Sequence, residues 1–331
     1  LEAEVMKAVL VKEFGAADQL YIGEYEKPEP ANHEILVRVQ ATALNRADIA
    51  QREGHYASPK GSSPLMGLEL AGIVEEIGSE VTKWKKGDRI FGLLGGGGYA
   101  EYAVIPEKMA MAIPDTMDVV VAAAIPEVFL TAYQTLFWVG HLQKGERVLI
   151  HAGASGVGTA AIQLAKQAGA EVVATAGSDE KLQACRDYGA DLAINYKVEA
   201  FDKVIETAYG EASINVILDF IGASYWQKNM QVIAVDGRQI LISTLGGASL
   251  DQFHLGQLMA KRVTLAGTTL RSRSLDYKQR LTEEFALWTM PLFTLGKIKP
   301  VVDRVFPIEE VQKAHAYMEA NKNIGKIILS I

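Results

Sequence analysis

At 331 residues the chain exceeds the usual size of one hydrophobic core, so two domains are expected. Apolar residues make up 49% and charged residues 22%, a balance close to that of folded proteins, which excludes a disordered chain. The net charge of −7 argues against affinity built on clustered Lys and Arg, so nucleic acid is not an expected partner.

The single cysteine, Cys185, can form neither an intrachain disulfide nor a cysteine-rich zinc site, which fits a cytosolic or otherwise reducing compartment. Lys7, Lys12 and Glu13 interrupt "MKAVLVKEF", so it does not read as a signal peptide. The residues before Met6 could be an addition to the natural chain.

The first hundred residues read as short strands between turns. "EILVRVQATAL" and "LAGIVEEIG" alternate in the β manner, "KKGDRIFGLL" is a turn entering a strand, and Gly95 to Gly98 form a flexible loop. Val119 to Gly140, "VVVAAAIPEVFLTAYQTLFWVG", is long and nearly uncharged. Pro126 and Glu127 break it, and a buried pair of helical segments is expected rather than a membrane span.

Beyond Glu127, apolar runs alternate with helix-length segments. "RVLIHA", "EVVATA", "LAINY", "NVILDFIG", "RQILISTL" and "VTLAGTTL" read as strands, with helices over Thr159–Gln167 and Asp179–Asp187 closed by Gly169 and Gly189. This rhythm predicts a doubly wound parallel sheet of α/β class.

From Leu275 a long helix leads to "KPVVDRVFPIEE", a helix through Tyr317 and a final strand, "IGKIILSI". These last strands look like the first hundred residues. The parallel-sheet domain, 128–274, is therefore predicted as an insertion into a β-rich domain built from 1–127 and 275–331.

In "HAGASGVGTAAIQLA", Gly156, Gly158 and Ala161 match G-x-G-x-x-G/A. The first glycine permits a tight turn, the second lets backbone approach a pyrophosphate, and the small third residue packs helix on strand. A merely structural strand-to-helix turn is the alternative. A hydrolase elbow is not, because Val157 stands where G-x-S-x-G needs glycine.

About twenty residues on, "ATAGSDEKL" places Ala176 and Gly177 at a strand end, followed by Ser178 and Lys181. A hydroxyl and an ammonium suit a 2′-phosphate, so NADPH is predicted over NADH. Asp179 and Glu180 oppose that reading unless they face solvent as first-turn acids.

Taken together, "ALNRAD", "GLELAG", "AAAIPEVFLTAYQTL", the glycine run, "TAGSDEKL", "NYK" and "AHAYMEANKNIGKI" resemble the zinc-independent medium-chain dehydrogenase/reductases, in the ζ-crystallin-like quinone oxidoreductase branch. The resemblance implies a Rossmann domain inserted in a GroES-like catalytic domain, NADPH as cofactor, a small-molecule quinone as substrate and a homodimer. Zinc-dependent relatives carry a cysteine where this chain has Asn45 and a histidine where it has Leu68, so no metal is expected. Without such a Lewis acid, conjugated acceptors are favoured, because a quinone or enone spreads the incoming charge.

By the same resemblance, Asn45 and Tyr56 line the nicotinamide and quinone pocket, with Tyr56 binding or protonating the reduced oxygen. Thr131 meets the nicotinamide, and Ala154, Ser155, Gly156 and Val157 meet the diphosphate. Gly177, Ser178, Lys181 and Tyr196 surround the 2′-phosphate. Leu245, Gly246, Leu270, Ser272 and Asn321 are further cofactor contacts. Asn45 as a turn residue and Tyr56 as a plain loop tyrosine remain open. A 2-alkenal or enoyl reductase and a crystallin-like structural or RNA-binding role are the rival functions.

Overall fold

The computed structural model describes residues 3–331; Leu1 and Glu2, the start of the stretch ahead of Met6, lie outside the described residues. The first part of the chain folds as β1 (Val5–Val11), β2 (Leu20–Glu26), β3 (Glu34–Ala43), α1 (Arg46–Arg52), β4 (Glu69–Ile77), β5 (Arg89–Leu93), β6 (Tyr102–Pro106) and β7 (Ala110–Ala112). Then come α2 (Val119–Ala122) and α3 (Pro126–Tyr133).

The middle alternates β8 (Arg147–Ile150), α4 (Gly156–Gln167), β9 (Glu171–Ala176), α5 (Asp179–Tyr188), β10 (Leu192–Asn195), α6 (Phe201–Tyr209) and β11 (Ile214–Asp219). It continues through α7 (Trp226–Val232), β12 (Ile233–Leu241), α8 (Leu255–Lys261) and β13 (Thr264–Gly267). The chain closes with α9 (Leu275–Thr294), β14 (Val302–Pro307), α10 (Val311–Glu319) and β15 (Lys326–Ser330).

Two compact units result: the residues through Leu130 together with Arg271–Ile331, and Thr131–Leu270. In the first, a seven-stranded sheet runs β14-β15-β3-β4-β5-β7, with β6 also paired to β3. β15 pairs antiparallel with β3 and parallel with β14, so residues from the end of the chain complete a sheet begun near its start. Val9, Leu20, Leu44, Tyr99, Val311 and Leu329 are among the buried side chains of this unit's core.

In the second unit, six strands lie in the order β10-β9-β8-β11-β12-β13, all parallel. This is the 3-2-1-4-5-6 order of a doubly wound dinucleotide-binding sheet, whose crevice opens outside the carboxyl ends of the strands. Leu149, Val173, Ile194, Ile217 and Ile233 are buried in its core. Helices α4 and α5 are followed by Gly169 and Gly189, both at positive φ, which end them as the sequence predicts.

Two expectations are corrected. Gly95 to Gly98 are not a flexible loop: Gly96, Gly97 and Gly98 are buried, and a Cβ on Gly98 would lie 2.6 Å from the Glu69 carbonyl oxygen. Glycine is needed there for close packing of backbone on backbone. Helix α4 starts at Gly156 instead of Thr159, because Ser155 caps it, its Oγ accepting from Gly158 N at 3.0 Å. The apolar stretch Val119–Val139 is long enough to cross a membrane, but it is broken between α2 and α3 and most of its side chains are buried.

Candidate functional site

The residues expected to meet the diphosphate and 2′-phosphate lie in the second unit, after β8, β9 and β10. Ala152 takes a left-handed φ of 49°, turning the chain from β8 toward α4. A Cβ on Gly158 would lie 2.2 Å from the Ala152 carbonyl oxygen and 2.8 Å from Gly153. Gly158 therefore serves the approach of helix to turn, a role expected of the third motif position. The first-turn N–H groups of Gly156 and Val157 precede any intrahelical acceptor, so they and the helix dipole face outward beside Ala154 and Ser155. His151 is buried between Thr175 Oγ1 (2.9 Å) and Asn229 Oδ1 (2.8 Å), and burial lowers it to about 4, which keeps it neutral.

At the end of β9, Gly177 lies against Tyr196 and Lys197: an added Cβ would sit 2.9 Å from Tyr196 Oη and 2.9 Å from Lys197 Cε. Ser178 caps α5, accepting from Lys181 N at 3.3 Å, while Asp179 and Glu180 are exposed in the first turn. Gly177, Ser178, Lys181 and Tyr196 are thus neighbours, and Lys197 is a second cation that the sequence reading did not assign. Gly246 N donates to Ile221 O at 2.7 Å next to the exposed Leu245, and Leu270 is buried. Thr131, 8% exposed, has a buried Oγ1 without a hydrogen-bond partner.

The residues expected to meet the acceptor lie in the first unit. Asn45 precedes α1 as its cap, with its Nδ2 3.5 Å from Ala43 O and two shorter contacts to distant residues. Its Oδ1 accepts from Lys326 Nζ at 2.7 Å and its Nδ2 donates to Glu69 Oε1 at 2.8 Å. The ammonium also donates to Leu44 O at 2.7 Å and pairs with Glu69 Oε1 at 2.9 Å, both side chains being essentially buried. Glu69 Oε2 accepts the Glu127 backbone N–H at 2.8 Å, at the first turn of α3.

Asp48 Oδ2 accepts from Asn45 N at 2.8 Å and from Tyr99 Oη at 2.9 Å. Behind it, Arg52 Nη1 and His315 Nδ1 are 2.9 Å apart, and His315 Nε2 is 3.1 Å from Tyr99 Oη. Burial beside Arg52 lowers His315 to about 3, so the neutral ring accepts from the guanidinium and donates to the tyrosine. The chain of donors ends on Asp48. Burial raises Asp48 to about 6 and, with Glu69 close by, Glu127 to about 7.

Tyr56 lies in the loop after α1, half-buried, with the Arg271 guanidinium 4.9 Å from its ring centre. Burial raises its hydroxyl above the ordinary value, which weakens it as an acid at neutral pH. Arg271 is fixed by Gly95 O (2.8 Å), Gln51 Oε1 (2.9 Å) and Ser58 Oγ (3.0 Å). Asn321, at a left-handed φ of 55°, accepts from the guanidinium of Arg46. Ser272 follows Arg271, just ahead of α9.

Sequence reading missed Glu69, Glu127, Arg271 and Lys326. The signal was present: each charged residue stands inside or beside an apolar run, in "GLELAG", "AAAIPEVF", "TTLRS" and "GKIILSI". A charge in such a run is buried, and buried charges are paired.

Residues 31–115 match the alcohol dehydrogenase GroES-like domain, and residues 156–286 match the zinc-binding dehydrogenase domain. The chain is 30% identical to a quinone oxidoreductase of Rattus norvegicus over 329 residues, covering 98% of each chain. Among solved structures, the quinone oxidoreductase of Escherichia coli complexed with NADPH matches with a TM-score of 0.87 at 28% identity, over 98% of this chain and 100% of that one. The CurK enoyl reductase matches with a TM-score of 0.86 at 29% identity, over 98% and 99%.

Proposed function

Because this chain belongs to the medium-chain dehydrogenase/reductase family, in its quinone oxidoreductase branch, we propose that it reduces quinones with NADPH, ortho-quinones such as 1,2-naphthoquinone included. The observation that carries the cofactor reading is the end of β9. No carboxylate stands at Ala176–Gly177; Tyr196 and Lys197 pack against the Cβ-free face of Gly177, and Ser178 and Lys181 follow at the start of α5. The unpartnered Thr131 Oγ1 suits a carboxamide at the other end of the cofactor. Ala154 to Val157 hold the diphosphate, with Leu245, Gly246, Leu270, Ser272 and Asn321 as outer contacts.

The reduced nicotinamide supplies the hydride. Asn45 and Tyr56 line the acceptor pocket, where Asn45 has its amide orientation set by Lys326 and Glu69. Tyr56 orients the acceptor through its ring and hydroxyl rather than by giving up a proton. At the positions where zinc-dependent relatives carry ligands stand Asn45, committed to an ion pair, and Leu68, buried in the core. The proposed chemistry is therefore metal-free, and catalysis rests on positioning a conjugated acceptor out of water.

The likeness to an enoyl reductase supports a second reading, reduction of 2-alkenals or enoyl thioesters at the same site. Steady-state rates with NADPH against 1,2-naphthoquinone and a 2-alkenal decide between them, the quinone being expected as the faster substrate. Folded protein that leaves NADPH fluorescence unchanged on titration overturns both. We also place this enzyme in the cytoplasm as a homodimer joined through β13, the edge strand of its sheet, where Leu265 is exposed. Sedimentation velocity giving a monomer at micromolar concentration refutes the dimer.

A further inference from the structure

Two buried carboxyl groups, Asp48 and Glu69, and a partly buried one, Glu127, surround the Lys326 ammonium, and their hydrogen bonds are unequal. Glu69 accepts from Lys326, from Asn45 Nδ2 and from the Glu127 backbone, which fixes it as the anion. Asp48 accepts two hydrogen bonds at Oδ2 and is sealed at 0% exposure. Glu127 accepts none through its carboxyl, yet its side chain keeps part of its surface open.

The groups acting on Glu127 from each packed element are Glu69 on β4, Lys326 on β15, Asp48 on α1 and Arg271 ahead of α9. Lys278 on α9 and Tyr56 on the loop after α1 also interact with it. Lys326 bonds to Glu69 directly, while Arg271 and Lys278 act on Glu127 without a hydrogen bond to its carboxyl, so the three carboxyls are unequally compensated. The carboxyl that no donor stabilises is where a proton rests, and it is the one that solvent or a small molecule can reach.

We propose that Glu127 is the proton donor of the reaction, delivering its carboxyl proton to the oxygen of the acceptor reduced beside Tyr56. This inference rests on the function proposed above. Once hydride has reached the conjugated acceptor, the pair of electrons is held as an oxyanion. The O–H bond of Glu127 breaks, an O–H bond forms on the acceptor, and the carboxylate left behind recovers a proton from solvent through its open face. Each turnover thus consumes one NADPH and one solvent proton per acceptor reduced. Glu69 and Lys326 are positioning residues in this scheme: their pairing leaves Glu127 as the neutral carboxyl.

The test combines ligand-free protein with turnover. In the absence of cofactor, infrared titration of wild type should show a protonated carboxyl band that disappears as pH rises through about 7, and Glu127→Gln should lack it. With 1,2-naphthoquinone and NADPH, Glu127→Gln should lose about 100-fold in kcat. The variant should also lose the alkaline fall in rate and the solvent deuterium isotope effect, while its Kd for NADPH is unchanged and Glu127→Asp recovers part of the rate.

Wild type without the titrating band, or Glu127→Gln with wild-type kcat at each pH, overturns the role of Glu127. A parallel loss of kcat and NADPH affinity with an unchanged pH profile assigns it a structural role and overturns it as well. Wild type that neither takes up NADPH nor turns over any quinone or alkenal overturns the proposed function instead.

Discussion

Replacing Lys326 by methionine removes the ammonium bonded to Glu69 and keeps most of the volume of the side chain. Lys326 is 4% exposed and Glu69 0%, so the carboxylate cannot turn to solvent. Losing one partner of such a buried pair costs about 3–5 kcal/mol, roughly a fifth or more of the ~5–15 kcal/mol that holds a typical domain together. Two donors, Asn45 Nδ2 and the Glu127 N–H, remain on Glu69, which places the loss at the lower end of that range.

The sign of the pH dependence follows from the carboxyls. Without the ammonium, burial pushes Asp48 and Glu127 further up, so protonation at pH 5 relieves part of the penalty that is present in full at pH 8. Urea unfolding followed by circular dichroism should show a deficit at pH 8 that shrinks at pH 5. Lys326→Met/Glu69→Gln should regain at least half of it. A deficit below about 1 kcal/mol at pH 8, the size of an exposed ion pair, would refute the argument. So would a deficit equal at both pH values.

Glu127 itself makes stability fall as pH rises. Its folded value of about 7 lies above the ordinary value of 4.5, so its favourable contribution is complete below 4.5 and lost through 7, up to about 3 kcal/mol. Glu127→Gln should flatten this part of the stability profile, and an unchanged slope contradicts the burial argument. Lys181→Ala should lower the NADPH over NADH ratio of kcat/KM by about one to two decades, the value of one charge-assisted hydrogen bond; an unchanged ratio refutes the phosphate assignment. Gly158→Ala forces a Cβ against the Ala152 carbonyl and should cost about 1–3 kcal/mol, with weaker NADPH binding by fluorescence titration. Wild-type stability in that variant would show that the turn relaxes freely.

Local signals carried the parallel sheet. The runs "RVLIHA" and "EVVATA" fold as β8 and β9, and Gly169 and Gly189 end their helices, because period, caps and breakers act within a few residues. The pairing of Lys326 with Glu69 was out of reach for the same reason: it joins β15 to β4 across most of the chain. Gly95 to Gly98 misled because glycine marks both free loops and tight backbone contact, and only the neighbour, here Glu69 O, tells which applies. Tyr56 was visible as a candidate, but its weakness as an acid comes from burial and from Glu127, neither written in "GHY". Identity to known reductases was legible in motifs that cover the chain, whereas the order of the carboxyls by affinity for a proton required three dimensions.

The place of β15 bears on how the protein matures. The strand that inserts between β14 and β3 emerges from the ribosome after the whole of residues 131–270. β6 already covers Glu34–Arg38 of β3, but the Ala41–Ala43 end must wait for β15 while the nucleotide-binding unit is made and can already fold. Nascent chains stalled short of Lys326 should accordingly take up dinucleotide before their hydrogen-transfer chemistry exists, and that interval is when they most need shelter from self-association.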